Sequence, residues 1–191
     1  MHRSLTCLLL AGSALAAHAE PMLYKVDPDH TYPSFEADHL GGLSVWRGKF
    51  TRTSGTVTLD KAAGAGSVDI KVDPASVDFG QRQLNNWAKG KDFFDTQNNA
   101  AAVYRGRLDA FQNGAPTRVV GELTLNGVTR PLTLEIRTFK CIPHPLFKRD
   151  LCGADAYGTF NRETFGLGYG KQFGFDMDVS LRIQVEALVE K

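Results

Sequence analysis

Two histidines, His30 and His39, lie close in sequence to carboxylates and are the first residues to consider for metal binding or acid–base chemistry. The acidic residues within three positions of one or the other are Asp27, Asp29, Glu36 and Asp38. Imidazole and carboxylate groups are common metal ligands, so a metal-dependent enzyme built on His30 and His39 is one hypothesis. Two histidines without a third are a weak site signal, and we expect each to hydrogen-bond a loop or a strand end.

A glycine-rich segment, Gly166 to Lys171, has the composition of a phosphate-binding loop but not its context. Such loops need a helix directly after them, whose N-terminal N–H groups bind the anion. The residues that follow here alternate in the manner of a strand. The chain also lacks a Gly-x-Ser-x-Gly turn, so the sequence does not favour a hydrolase.

The N-terminus has the three parts of a secretory signal peptide: the basic residue Arg3, an apolar stretch from Leu5 to Ala17, and the small-x-small cleavage pattern Ala17-His18-Ala19. We therefore expect a signal peptide at residues 1–19 and one domain at 20–191, exported to the periplasm. The apolar stretch is shorter than the roughly 20 residues that span a bilayer, so no transmembrane segment is predicted.

Two of the three cysteines, Cys141 and Cys152, lie in the expected mature chain. In an oxidising compartment such a pair around a short loop is most simply a disulfide. A metal site made of Cys141, His144 and Cys152 is the alternative, but it has no evident fourth ligand.

The charge balance excludes several partner classes. The chain has 22 basic and 21 acidic residues, and Arg3 is the one charged residue of positions 1–19, so the mature chain is formally neutral. Without a basic cluster, neither nucleic acid nor an anionic membrane surface is an expected electrostatic partner.

The segment from Asp176 to Glu190 is apolar at every second position over most of its length. A period of two covers one face of a strand with apolar side chains, whereas a helix would need a period of 3.6. Several other segments alternate in the same way and are separated by turn residues. The pattern predicts an antiparallel sheet with one apolar face.

The dipeptide Asn126-Gly127 predicts a two-residue hairpin, since both residues tolerate positive φ. Pairing across this turn places Leu123 opposite Arg130, with Leu132 on the same face. Pro131 falls on the polar face, where its missing N–H predicts an edge or a bulge.

One segment has helical spacing instead. In Gln81 to Lys89 the apolar residues Leu84, Trp87 and Ala88 recur at i, i+3 and i+4. A helix this short is marginal alone, so we expect it to dock on the sheet or to cap one end of it. The predicted fold is all-β: an antiparallel, lipocalin-like barrel of about eight strands with one short helix, whose interior is either packed or holds a ligand.

Six blocks of the sequence, in order, resemble those of the YceI-like family. They are Val26 to Thr31, Asp38 to Leu43, Gly48 to Phe50, Asp92 to Asp95, Gly121 to Leu132, and Gly158 to Leu167. The resemblance implies an exported barrel that holds a long isoprenoid lipid, such as a polyprenol or ubiquinone, in an apolar tunnel for sequestration or transport. It implies neither an enzyme nor a resident cofactor.

On this hypothesis the apolar interior and the binding site are one surface, and polar residues at its mouth contact the head group. The residues predicted to line the tunnel or its mouth are Phe35, His39, Trp46, Phe50, Leu84, Trp87, Phe93, Phe94, Tyr104, Leu123, Arg130, Leu132, Phe160, Leu181 and Ile183.

Two further alternatives stay open. An interaction module could bind an envelope protein or a redox partner through an edge near Pro131 or through the Cys141–Cys152 loop. A homodimer could share the tunnel.

Overall fold

The computed structural model describes residues 20–190, so the signal peptide predicted at 1–19 lies outside the described residues. The described chain forms eleven strands and one α-helix, α1, at Arg82–Ala88. The strands are β1 Met22–Val26, β2 Tyr32–His39, β3 Ser44–Phe50, β4 Thr53–Asp60, β5 Ala65–Val72, β6 Val77–Asp78, β7 Ala102–Asp109, β8 Arg118–Leu125, β9 Val128–Pro143, β10 Asp150–Asn161 and β11 Asp178–Val189. Within residues 20–190, no helix is long and apolar enough to span a bilayer.

Eight of the strands close into an antiparallel barrel in the order β1-β4-β5-β7-β8-β9-β10-β11, and pairing of β1 with β11 completes the ring. The remaining strands β2, β3 and β6 extend the sheet beyond β11. The predicted fold class is confirmed. The sequence estimate of about eight strands matches the ring, and the added strands account for the larger total.

The long strand β11 is shared between two partners on one edge. Its first half pairs with β2, from Val179 opposite Ala37, and its second half pairs with β1, up to Val189 opposite Tyr24. Strands β1 and β2 therefore run end to end along β11. Because period-two alternation continues through all of β11, both halves turn the same apolar face inward.

The β8–β9 hairpin has the predicted register. Leu125 lies opposite Val128 and Leu123 opposite Arg130, and Asn126 and Gly127 both have positive φ, 51° and 74°. Pairing of β9 with β10 ends at Glu135, so Pro131 pairs only on its β8 side. Because β10 does not pair with β9 at Pro131, the missing N–H of Pro131 removes no hydrogen bond to β10.

Helix α1 covers one end of the barrel, as expected for a helix too short to be stable alone. The side chain of Gln81 accepts a hydrogen bond from the Leu84 N–H and begins the helix, which ends at Ala88, one residue inside each predicted bound. Ala88 is fully buried and packs in one cluster with Phe94 and Phe165. We call this end, marked by α1, the helical end.

The opposite end carries the Cys141–Cys152 disulfide, and we call it the disulfide end. The two cysteines are directly paired on β9 and β10, with Cα atoms 4.0 Å apart. The predicted disulfide is confirmed, and the alternative metal site with His144 is wrong because both sulfur atoms are bonded to each other. His144 instead accepts hydrogen bonds at Nδ1 from the N–H groups of Leu146 and Phe147.

Replacing both Cys141 and Cys152 by serine is expected to lower the free energy of unfolding by about 3 kcal/mol, because the disulfide restricts the unfolded chain. Urea unfolding followed by circular dichroism measures this change. The oxidised wild type treated with reductant is the control and should shift by a similar amount. Equal stability of all three forms would show that the crosslink contributes nothing.

Candidate functional site

The barrel encloses an apolar cavity of about 500 Å³ that extends from the helical end to the disulfide end. Its wall is made by inward-facing residues of the strands, together with side chains of α1 and of the loops at the helical end. On β11, for example, the wall takes every second residue. These are Val179, Leu181, Ile183, Val185 and Ala187. The period-two pattern of the sequence is therefore the pattern of the cavity wall.

The structure brings most of the predicted site residues together in this wall. The predicted residues that line the cavity are Phe35, Trp46, Phe50, Leu84, Trp87, Phe93, Phe94, Tyr104, Leu123, Leu132, Phe160, Leu181 and Ile183. Their contact with a ligand stays a prediction.

His39 and Arg130 share the parity of lining residues but lie outside the wall. The His39 ring stacks on Trp46, with 4.2 Å between ring centroids. Arg130 is exposed and donates a hydrogen bond to the Thr129 carbonyl. Both residues are at or near the ends of their strands. There a side chain that points toward the inner face is not necessarily surrounded by the other strands of the barrel. Of the two predicted positions, tunnel lining or mouth, these contacts favour the mouth, and a role of either residue in ligand binding stays a prediction.

Three glycines, Gly48, Gly106 and Gly121, occupy crowded positions in the wall where a Cβ atom would be too close to neighbouring atoms. A Cβ on Gly48 would lie 2.5 Å from Cζ of Phe35, so only glycine lets the Phe35 ring lie against β3. Gly121 and Gly106 face each other across β7 and β8, and a Cβ on Gly121 would lie 2.3 Å from the Arg105 carbonyl oxygen.

Two of the three lining tyrosines, Tyr24 and Tyr104, have hydroxyls that are hydrogen-bonded within the protein. The Tyr104 hydroxyl can donate to the carbonyl oxygen of Leu132, at 3.0 Å, or to that of Val119, at 3.3 Å. Burial raises the pKa of this hydroxyl. The Tyr24 hydroxyl donates to Asp150 at 2.8 Å. Buried polar atoms that are hydrogen-bonded in this way leave the rings to present apolar surface. The long middle of the cavity is thus apolar.

Aromatic rings concentrate at the helical end, where the cavity wall reaches the protein surface. Trp87 contacts Phe93 and Tyr169, with centroids 5.3 and 4.7 Å apart. Tyr169 lines the cavity and is 42% exposed. We call this opening, bounded by Trp46, Trp87, Phe93, Tyr169 and Phe175, the mouth.

Two charged residues line the cavity, Asp38 and Arg162. The carboxylate of Asp38 accepts hydrogen bonds from the N–H groups of Asp176, Gly42 and Gly41 at 2.9, 2.6 and 2.9 Å. These bonds, that from Asp176 foremost, lower the pKa of Asp38 and keep it ionised at neutral pH.

Arg162 is buried, with 5% of its surface exposed. Its Nη1 donates to the Leu167 carbonyl, and the guanidinium lies 5.8 Å from the centre of the Phe93 ring. Burial lowers the pKa of Arg162, and the charges of Asp176 and Asp38 act against that shift. Within residues 20–190 no carboxylate lies within 4.0 Å of this guanidinium. Arg162 thus keeps donors that can serve a ligand at the mouth.

Sequence reasoning missed Arg162, Tyr169 and Phe175. All three lie between β10 and β11, Arg162 at the start of a short 3₁₀ helix and the other two in loops, where no period-two alternation marks an inward side chain. The one available signal was the high glycine content of positions 166–174. It indicates a loop, but it does not show which side chains of the loop point into the barrel.

The two histidines of the metal hypothesis are not joined in a ligand set. His30 is exposed and its Nδ1 lies 2.8 Å from Asp27, which raises the pKa of His30. Of the residues that the structure describes, the one cluster of three metal-type ligands is Cys141, Asp150 and Cys152, in which the sulfurs are consumed by the disulfide.

A closed antiparallel barrel around a long apolar cavity defines the molecule as a lipocalin-like barrel. The YceI-like domain model matches residues 24–187, and the chain belongs to the YceI-like family. A UPF0312 protein of Serratia proteamaculans is 33% identical over 191 residues, covering 96% of this chain and 93% of that protein.

Two solved structures share the fold. Burkholderia cenocepacia BcnA aligns with a TM-score of 0.65 at 22% identity, covering 84% of this chain and 98% of that one. A polyisoprenoid binding domain from Saccharophagus degradans aligns with a TM-score of 0.64 at 15% identity, covering 88% and 99%. These alignments place the barrel, not its ligand, among known structures.

Enlarging a residue of the cavity wall should cost little, because the added atoms enter open space. We expect Ala154→Phe to change the free energy of unfolding by less than about 1 kcal/mol, while Ala88→Phe in the packed helical cluster lowers it by about 3 kcal/mol. Both residues are alanines, but only Ala154 lines the cavity. Chemical denaturation of the two variants compares them directly, and equal losses would mean that the wall at Ala154 is close-packed.

Proposed function

We propose that this protein is an exported, periplasmic carrier that holds a long isoprenoid lipid of the polyprenol or ubiquinone type in the barrel cavity, for sequestration or transport. The observation that carries the proposal is the continuous apolar wall running between the two ends of the barrel. A flexible hydrocarbon tail fits such a space better than a compact polar substrate does.

The hydrophobic effect is sufficient for tight binding. Burying a CH₂ group contributes about 0.8 kcal/mol, so ten such groups contribute about 8 kcal/mol before the entropy of ordering the tail is subtracted. No chemical step on the ligand is needed, and the hydroxyls of the lining residues Tyr24 and Tyr104 are hydrogen-bonded within the protein. A binding role is further supported by the similarity to a domain described as polyisoprenoid binding.

The mouth supplies the polar contact for a head group. Arg162 has donors only, so it fits an oxygen acceptor such as a quinone carbonyl or an alcohol oxygen. Asp38 lines the same cavity with the opposite charge. Because the two lining charges cancel, an uncharged head group fits the mouth better than a phosphate, which would add unbalanced negative charge near Asp38 and Asp176.

The decisive experiment is mass spectrometry of organic extracts from the protein purified from its native envelope. An isoprenoid lipid recovered in stoichiometric amount is the expected result. Uptake can be measured in parallel, because the two tryptophans of the chain, Trp46 and Trp87, both line the cavity and report a bound quinone by quenching. An extract without isoprenoid, together with no quenching by a ubiquinone analogue, would refute the proposal.

Arg162→Met should weaken binding of a ubiquinone analogue by about 10- to 100-fold, because a hydrogen bond from a charged donor is worth about 1.5–3 kcal/mol. Binding of a tail-only isoprenoid hydrocarbon should not change. Tryptophan quenching measures the quinone, and competition against it measures the hydrocarbon.

The matched control is Arg105→Met, which removes an exposed arginine on the outer surface that pairs with Asp69 at 2.9 Å. This variant should bind both probes as the wild type does. Equal weakening of quinone and hydrocarbon by Arg162→Met would assign Arg162 a structural role only.

A further inference from the structure

Large apolar side chains are exposed on the two loops beside the mouth. The turn between β2 and β3 carries Leu43, which is 73% exposed, and the glycine-rich loop carries Phe173, which is 57% exposed. Leu40, Val45 and Tyr169 are also exposed in these segments. We call the surface formed by residues 40–45 and 169–173 the rim.

The two loops of the rim are fixed to each other. The Asp38 carboxylate accepts hydrogen bonds from Gly41 and Gly42 in one loop and from Asp176, just beyond the other. A Cβ on Gly41 would lie 3.1 Å from the carbonyl oxygen of Gly174, so the two backbones are in close contact. The apolar side chains are thus held in one place on a preformed surface, and docking does not require the loops to become ordered.

The rim is continuous with the cavity. Tyr169 belongs to both. Two residues that bound the mouth are also next to the rim in sequence: Trp46 directly follows Val45, and Phe175 lies two positions after Phe173. Any lipid that passes through the mouth crosses the rim. The reservoir of a long isoprenoid lipid is the bilayer, since its tail is insoluble in water.

The charges at the rim also indicate the partner. Lys171 is the rim's only basic residue and pairs with Glu163 at 2.6 Å, so the rim presents apolar groups with no net positive charge. Insertion of apolar side chains into the interface of a bilayer does not need charge attraction, although anionic lipid would strengthen a basic surface.

A second exposed apolar site offers a contrast. We call residues 140–152, where β9 and β10 are joined by the disulfide, the disulfide hairpin. It exposes Leu146 (80%) and Phe147 (58%), close in sequence to the basic residues Lys140, Lys148 and Arg149. This site is at the far end of the barrel from the mouth. It is equally apolar but basic, so any affinity it has for a bilayer should depend on anionic lipid and fall with salt.

We propose that the rim docks on the surface of a lipid bilayer, with Leu43 and Phe173 entering the boundary between head groups and acyl chains, so that the mouth opens against the membrane. This inference rests on the proposed function, because it assigns the surface through which the carrier collects or delivers its isoprenoid lipid.

The test is co-flotation of the mature protein with phosphatidylcholine vesicles, using the variants Leu43→Ser/Phe173→Ser and Leu146→Ser/Phe147→Ser. We expect the rim variant to partition at least about tenfold more weakly than the wild type, because each side chain loses several CH₂-sized groups from the interface. The hairpin variant should float as the wild type does. High salt should leave wild-type flotation unchanged, because the rim acts without net charge.

A second measurement separates docking from lipid binding. Transfer of a ubiquinone analogue between vesicles should slow in the rim variant, while its quenching of Trp46 and Trp87 by the same analogue in solution stays as in the wild type. Leu43 and Phe173 are exposed and do not line the cavity, so both variants should retain the wild-type circular dichroism spectrum.

Each of the remaining outcomes overturns either the docking proposal or the carrier proposal. Loss of flotation in the hairpin variant instead of the rim variant would place the membrane contact at the disulfide end. Wild-type protein that binds the quinone analogue but does not float would refute docking and leave the carrier proposal intact. Absence of quinone binding in every form, with flotation retained, would refute the carrier proposal and leave the rim as a membrane-binding surface.

Discussion

Closure of β1 on β11 is the constraint on which the rest of this structure depends. An open sheet with one apolar face would have to bury that face against a second layer. The ring instead turns every apolar face toward the faces of the other strands, and it satisfies the backbone groups of both edges. A closed ring of about eight strands can either fill its interior with side chains or leave room for one ligand. In this ring the inward side chains leave a cavity of about 500 Å³.

The two ends of the barrel are built differently. At the disulfide end, buried residues such as Leu59 and Cys152 belong to one apolar cluster, and Cys141–Cys152 joins β9 to β10 beyond the part of β9 that pairs with β8. At the helical end, the wall is completed by α1 and by loops, and aromatic rings replace aliphatic side chains. Aromatic residues combine a large apolar area with few rotatable bonds, which suits a surface that must stay apolar while partly exposed.

Most of the barrel could be predicted from the sequence because its determinants are local. Alternation in β11 and the Asn126-Gly127 turn each fix an inward face from neighbouring residues alone, and both predictions match the structure. Strand ends are harder to predict. His39 and Arg130 have inward parity, but alternation does not show where the partner strand stops, so it cannot distinguish a lining position from one at the mouth. Arg162 begins a short 3₁₀ helix, and its side chain is held by the nearby Leu167 carbonyl and lies near Phe93, which is far away in sequence.

Asp38, which is half-buried, and Arg162, which is buried, give the apolar cavity one polar end. A charge removed from water is costly unless it is compensated, and Asp38 is compensated by three backbone N–H groups that also join the two rim loops. Arg162 is only partly compensated, by one carbonyl and by the more distant field of Asp38 and Asp176. Asp38 therefore stabilises the loops at the mouth, whereas Arg162 has N–H donors that no group in the described part of the protein accepts. In the proposed complex, a head-group oxygen that reaches Arg162 would satisfy those donors, and the tail would fill the apolar middle of the cavity.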